Sequence, residues 1–429
     1  PEETPPVDTS DVPPPHHDAS TDVEAAPATV SEAEAASTEG VLVAFEPGDG
    51  LVVESRDGQF ALATRVRVQF LASLTVPEDG LGPPNGTGDL YADAGDADLL
   101  LGIRRARVVF AGHLFGRENR FKLELAISPS DLGFAPGEGP TRTPLLDWYV
   151  DLRHHRDVSV RVGQYKLPFS RERVISSGDL ALVDRSLTNA ELTIDRDVGF
   201  DLRSADFLGL GWLRYYAGIS AGEGRDAGFG NDVGLWYFAR VELLPLGMFD
   251  DYQEADLARH ASPRLSIGAA YAFLDDAPRL RGALGPVAAD GGTTDYHQVA
   301  ADVMFKWMGF SLFSEMIVRD GARNPGDALD EMGNPIATTA PRTGVGWFAQ
   351  AGYLLPMIDL QVVARVGMLH PLGDAASTTM PERGELGGGL SYYFAGHSYK
   401  LQLDYFHLWS GGDVGDSEDV VRLQLQAAL

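Results

Sequence analysis

The sequence predicts an all-β chain: a transmembrane antiparallel β-barrel of about 16 strands, with long outer loops and mostly short turns at the opposite rim. Three observations lead there. From residue 59 onward the dominant hydrophobic period is two, the connections between periodic segments alternate long and short, and no apolar run approaches the ~18 to 20 residues that a spanning helix requires.

The elements follow in order. In 59–76 the even positions Phe60, Leu62, Val66, Val68, Phe70, Leu74 and Val76 are apolar, while Arg65, Arg67, Gln69, Ser73 and Thr75 hold the odd ones. One face is greasy and the other wet, the pattern of a half-buried strand. It recurs in 105–114, 120–128, 146–154, 157–165, 197–204, 212–220 and 235–244. It continues in 264–274, 296–307, 310–319, 345–355, 360–369, 385–394, 399–409 and 421–429. Long Gly/Pro/Asp-rich loops at 77–98, 129–144, 166–196, 221–233, 275–295, 320–343, 370–384 and 410–419 interleave with short turns, such as GREN after Phe115 and WMG at Trp307. An even strand number with loops at one rim and turns at the other suits an outer-membrane barrel. The connection 245–262 is longer than that rule predicts for a turn. Aromatics at strand ends (Trp307 with Phe310, Phe394 with Tyr399) suit the membrane interface. A soluble barrel is disfavoured, because about sixteen strands enclose a lumen too wide for wall side chains to fill.

Composition narrows the function. The chain has no cysteine, which excludes disulfides, a thiol nucleophile and Cys-ligated zinc. A net charge of −28 argues against nucleic acid as a partner. The charge is not in the wall. Residues 1–40 carry −10, and the long loops other than 166–196 carry −18, so the strands, turns and loop 166–196 sum to zero. The first forty residues, acidic and Pro-rich, read as a disordered periplasmic tail on a barrel spanning 41–429. His16, His17 and Asp18 within it read as solvated rather than metal-binding. No GxSxG elbow or HExxH motif is present, and GEGRDAG at 222–228 imitates a phosphate loop but precedes no helix, so no enzyme and no cofactor are expected.

A strand Arg or Lys facing the hydrocarbon midplane costs ~2 to 4 kcal/mol, so strand charges belong in the lumen. Arg65, Arg67, Arg105, Arg107, Lys122 and Arg161 have inward parity and form a candidate basic wall. A wide bore cannot select by its wall alone, since mobile ions screen charges beyond ~8 to 10 Å. Loop 166–196, folded inward, would narrow it, which makes Lys166, Arg171, Arg173 and Arg185 candidate constriction charges. The expected function is passive diffusion of small hydrophilic solutes with a modest anion preference. The alternative is a structural barrel in outer-membrane lipid, anchoring a periplasmic or cell-wall partner through residues 1–40.

The block VRVGQYKLPFSRE, LALVDRSLTN and RDVGF over 160–200 resembles the phosphate-selective porin O and P family. Further similarity runs through GLVVESRDGQFALATRVRVQF, RRARVVFAGHLFGRENRFKLELAIS and FKWMGFSLFSEM. The resemblance implies a sixteen-stranded bacterial outer-membrane channel, usually a homotrimer, whose third outer loop enters the lumen and whose basic residues conduct anions. Carried over by position, Lys166, Arg171 and Arg185 match the loop motif and Arg161 the strand before it. Acids sharing the inward face and a terminal Leu429 in place of an aromatic depart from the family pattern.

Overall fold

The computed structural model describes residues 40–46, 50–77, 97–133, 142–225, 234–411 and 417–429. The acidic tail with its histidine pair, most of the first long loop and part of the GEGRDAG stretch lie outside them.

Sixteen antiparallel strands close into a barrel. They are β1 (Phe60–Pro77), β2 (Asp98–Leu114), β3 (Asn119–Ala126), β4 (Leu145–His155), β5 (Val158–Lys166), β6 (Arg196–Ser204), β7 (Leu213–Ser220) and β8 (Trp236–Leu243), then β9 (Arg264–Ala277), β10 (Thr293–Trp307), β11 (Phe310–Asn324), β12 (Gly344–Leu354), β13 (Leu360–Pro371), β14 (Arg383–Ala395), β15 (Tyr399–Ser410) and β16 (Ser417–Ala428). Each pairs with the next, and β16 returns to β1 in the register Glu418↔Pro77 to Ala428↔Arg67. Closure pairs both edges of the sixteen-stranded sheet, so the barrel strands can satisfy each other's amides, as a bilayer demands. Leu429 completes the seam by exchanging both backbone hydrogen bonds with Val66 (2.9 and 3.0 Å).

Alternation sorts the side chains as the period-two pattern requires. On β15 and β16, Leu401, Leu403, Tyr405, Val421 and Leu423 face outward, while Lys400, Gln402, Asp404, Gln424 and Gln426 are enclosed. At the turn rim Phe394 stacks on Tyr399 (4.7 Å between centroids), and Trp307 is outward, forming part of an aromatic girdle.

Three features depart from the sequence reading. A hairpin, Val41–Glu46 with Gly50–Ser55, pairs alongside Ala61 to Thr64 of β1 and fills the step below the end of β16. Its outward residues Val41, Val43, Phe45 and Leu51 continue the apolar belt. The inner face is not uniformly polar. Trp236, Phe238, Met304, Phe313, Ile317 and Phe348 point inward and are sealed by apolar side chains from loop 167–195 and turn 244–263. Finally, turn 244–263 enters the lumen, where Asp251, Tyr252, Glu254 and Asp256 are buried.

Candidate functional site

Loop 167–195 leaves between β5 and β6 and crosses the bore. Two short helices shape it. Ser170 caps α1 (Arg171–Val174) by accepting from the Arg173 amide, and Ser186 caps α2 (Leu187–Leu192) by accepting from the Asn189 amide. Apolar residues Leu167, Phe169, Ile175, Leu180, Leu182, Leu192 and Ile194 anchor it against the wall. Far across the lumen, wall side chains hold its backbone. Lys400 Nζ donates to the Leu180 carbonyl (2.6 Å), Ser391 Oγ to the Ala181 carbonyl (2.6 Å) and Arg365 Nη1 to the Asp184 carbonyl (2.9 Å). Asp404 accepts from the Val183 amide (3.0 Å).

On the near side, loop and wall enclose a cavity of about 130 Å³ lined by Arg104, Arg105, Arg107, Lys166, Arg173, Arg185 and Arg196, with Ser130, Asp131 and Ser177. A second cavity of about 50 Å³ adjoins it, sharing Arg107, Lys166 and Ser177 and adding Arg65, Arg67, Lys122 and Glu124. Several cations are backed by carboxylates. Asp184 accepts from Arg105 (3.0 Å) and Arg104 (3.2 Å), Glu124 from Arg107 (2.8 Å), and Asp147 from Lys122 (3.0 Å) and Arg196 (2.5 Å). Others are held by neutral oxygens. Lys166 Nζ donates to the Val174 and Ile175 carbonyls (3.1 and 3.2 Å), Arg185 to the Glu172 and Ile175 carbonyls (2.8 and 2.6 Å), and Arg67 to the hydroxyls of Ser176 and Ser177 (2.9 and 3.0 Å). Such oxygens orient a cation without cancelling its charge, so the cavity wall is net positive. Burial, with Arg173 and Arg105 alongside, pushes the Arg185 guanidinium down to about 9. An anion between them would relieve that crowding.

The predicted residues divide. Lys166, Arg173, Arg185, Arg105 and Arg107 line the larger cavity, while Arg65, Arg67 and Lys122 line the smaller. Arg171 and Arg161 do neither. Arg171 is fully enclosed, bonded to Asp302, to Asp251 (2.6 Å) and to Ser266 (2.9 Å), with Glu242 at 3.4 Å. It is a clamp that fixes the loop to the wall, because a long cation directed backward into three carboxylates cannot face the bore. Arg161 forms a bidentate pair with Asp151 (2.6 and 2.8 Å) and stacks 3.7 Å above Tyr149.

Two lining residues escaped the sequence reading. Arg104 has outward parity, but β2 pairs with β1 as Gln69↔Arg105 and then Phe70↔Ile103, leaving Arg104 as the extra residue of a bulge that turns into the lumen. No local signal marks the bulge beyond the RRAR run itself. Arg196 opens β6 and bends toward Asp147 before alternation sets in.

A closed sixteen-stranded barrel with a greasy exterior, charged interior and inward loop defines an outer-membrane porin, located in the bacterial outer membrane. Residues 80–229 match the family model described as phosphate-selective porin O and P, bearing out the resemblance drawn from 160–200. Among solved structures, the fold is shared with a loop L8 deletion mutant of OmpT, an outer membrane protein of Vibrio cholerae (TM-score 0.52, 10% identity, covering 86% of this chain and 99% of that one). It is shared equally with the outer membrane channel DcaP of Acinetobacter baumannii (TM-score 0.52, 12% identity, 88% and 99%). No curated protein matches the sequence.

Proposed function

We propose that the barrel passes small hydrophilic solutes by diffusion, with a modest preference for anions of the phosphate type. Selection acts where loop 167–195 faces β1–β5. The carrying observation is the lining of the larger cavity, seven basic side chains against one acid. A cation entering it meets positive potential at short range, inside the distance over which salt screens. An anion can exchange hydration for guanidinium donors. The carboxylates behind the Arg side chains moderate the field, so the preference is graded and the site does not trap its solute. The neutral lumen of the sequence count is compatible with this, because Glu172, Glu254 and Glu315 are buried and line neither basic cavity.

A homotrimer, which the family resemblance implies, is the proposed assembly, testable by the mobility of unheated protein on a denaturing gel. For selectivity, the test is the reversal potential of reconstituted channels in a potassium chloride gradient. The expected sign is that of anion preference, with a shift toward zero in Arg173→Ser and Arg185→Ser. A cation-side potential in the wild type would dismiss the reading.

A further inference from the structure

Turn 244–263 is the longest connection at the turn rim, and it folds into the bore instead of closing a tight hairpin. Asp251, Tyr252, Glu254, Ala255 and Asp256 are all at most 3% exposed. Its base is fastened by Arg259, which donates to the Leu354 and Leu355 carbonyls (2.8 and 2.6 Å), and by Asp256, which accepts from the Gly309 amide (2.8 Å). Lys306 Nζ reaches the Asp250 carbonyl (2.6 Å).

Its tip meets loop 167–195 coming from the other rim. The Glu254 amide donates to the Asp179 carbonyl (3.2 Å), and its carboxylate accepts from the Ala181 amide and from Gln350 (both 2.8 Å). Asp251 accepts from Arg171 of the loop (2.6 Å) and Arg214 of the wall (2.8 Å). The Tyr252 ring packs with Ile175, Leu180, Met304, Phe313 and Phe348. Behind this junction, the wall side chains Met304, Phe313 and Phe348 are at most 1% exposed, whereas the Arg104 and Arg173 side chains on the opposite side are 35% and 21% accessible.

We propose that turn 244–263 is a second constriction segment, which with loop 167–195 closes the half of the lumen lined by β8–β13 and confines permeating solute to the basic side. The inference rests on the proposed anion path and adds a selectivity-determining element from the turn rim. A charge track is effective only if ions cannot bypass it by more than a Debye length.

The test is single-channel conductance and reversal potential with residues 248–258 replaced by a short Gly-Ser linker. Since conductance follows open cross-section, it should rise about twofold while the anion preference shrinks. Tyr252→Ala, which keeps the chain length, should give a smaller rise, about 1.5-fold, and decides the matter if the shortened chain does not assemble. Wild-type conductance and reversal potential in assembled barrels of either variant would overturn the proposal. A wild type without anion preference, but with conductance rising on shortening, would reject the basic path and leave the second constriction standing.

Discussion

Replacing Arg171 by methionine separates holding the loop from selecting the ion. The side chain has no exposed surface and sits among Asp302, Asp251 and Glu242, which are also buried. Arg240 and Arg214 bind the same carboxylates, Arg240 to Asp302 at 2.6 Å and to Glu242 at 2.8 Å, and Arg214 to Asp251 at 2.8 Å. Three cations thus offset three anions, and the substitution leaves one uncompensated buried charge. Breaking a buried pair costs about 3 to 5 kcal/mol, and the two remaining guanidiniums set the expectation at the low end, about 3 kcal/mol. That is about a hundredfold in the equilibrium for releasing the loop. Hydrogen exchange of amides 171–192 in detergent micelles reads this directly, because protection there reports local opening. Arg173→Met serves as the contrast. Arg173 pairs with Asp195 at a partly exposed site, where such pairs are worth about 0 to 1 kcal/mol, less than a tenfold change in exchange. It should nonetheless shift the reversal potential, which Arg171→Met affects only through loop release. Exchange in Arg171→Met indistinguishable from wild type would refute the clamp.

Further outcomes follow from other parts of the molecule. Gly163 on β5 has φ +136°, and a Cβ there would lie 2.1 Å from the Trp148 carbonyl, so Gly163→Val should block β4–β5 pairing and abolish the heat-modifiable band of folded barrel on a gel. Leu423→Arg puts a charge on the lipid face and should lower stability by about 2 to 4 kcal/mol in denaturant titrations of vesicle-inserted protein, whereas Gln424→Arg on the lumenal face should not incur that cost. Glu172, on the loop and outside the spanning strands, has its carboxyl pushed up to about 8, chiefly by burial and further by Glu315 and Glu254, against the opposing pull of Arg365. It therefore takes up a proton on docking. Loop protection should be greatest below the ordinary value of 4.5 and be lost as pH rises through about 8, and Glu172→Gln should flatten that dependence in exchange corrected for intrinsic rate.

The barrel was legible because a period of two and alternating connection lengths are both written locally, one in neighbouring residues and the other in Gly/Pro-rich spacing. The lining of the site was only partly so. Parity puts Arg65, Arg67, Arg105, Arg107 and Lys122 inside correctly, since the pleat leaves no choice. It misses Arg104, because a bulge is a fault in pairing between strands that neither strand announces. Loop side chains carry no parity at all. Arg171 and Arg173 are two residues apart on one helical turn, so they point in different directions, and which of them meets Asp302 is settled by wall strands more than a hundred residues downstream. The length of turn 244–263 was visible, but its destination was not. Its apolar Tyr252 and Ala255 find their downstream partners only once β10–β14 are in place. Hairpin 41–55 pairs with β1 only where β16 stops short, a consequence of barrel stagger rather than of its own sequence.

Ser177 lines both basic cavities, and the chain has no cysteine, so Ser177→Cys gives a single thiol where the two cavities of the proposed path meet. The direct measurement is single-channel current in planar bilayers during exposure to small thiol reagents of opposite charge. Current should fall on modification, and the negatively charged reagent should react faster than the positively charged one of similar size. Undiminished current after complete modification, or faster reaction with the cationic reagent, would contradict an anion route between loop 167–195 and β1–β5.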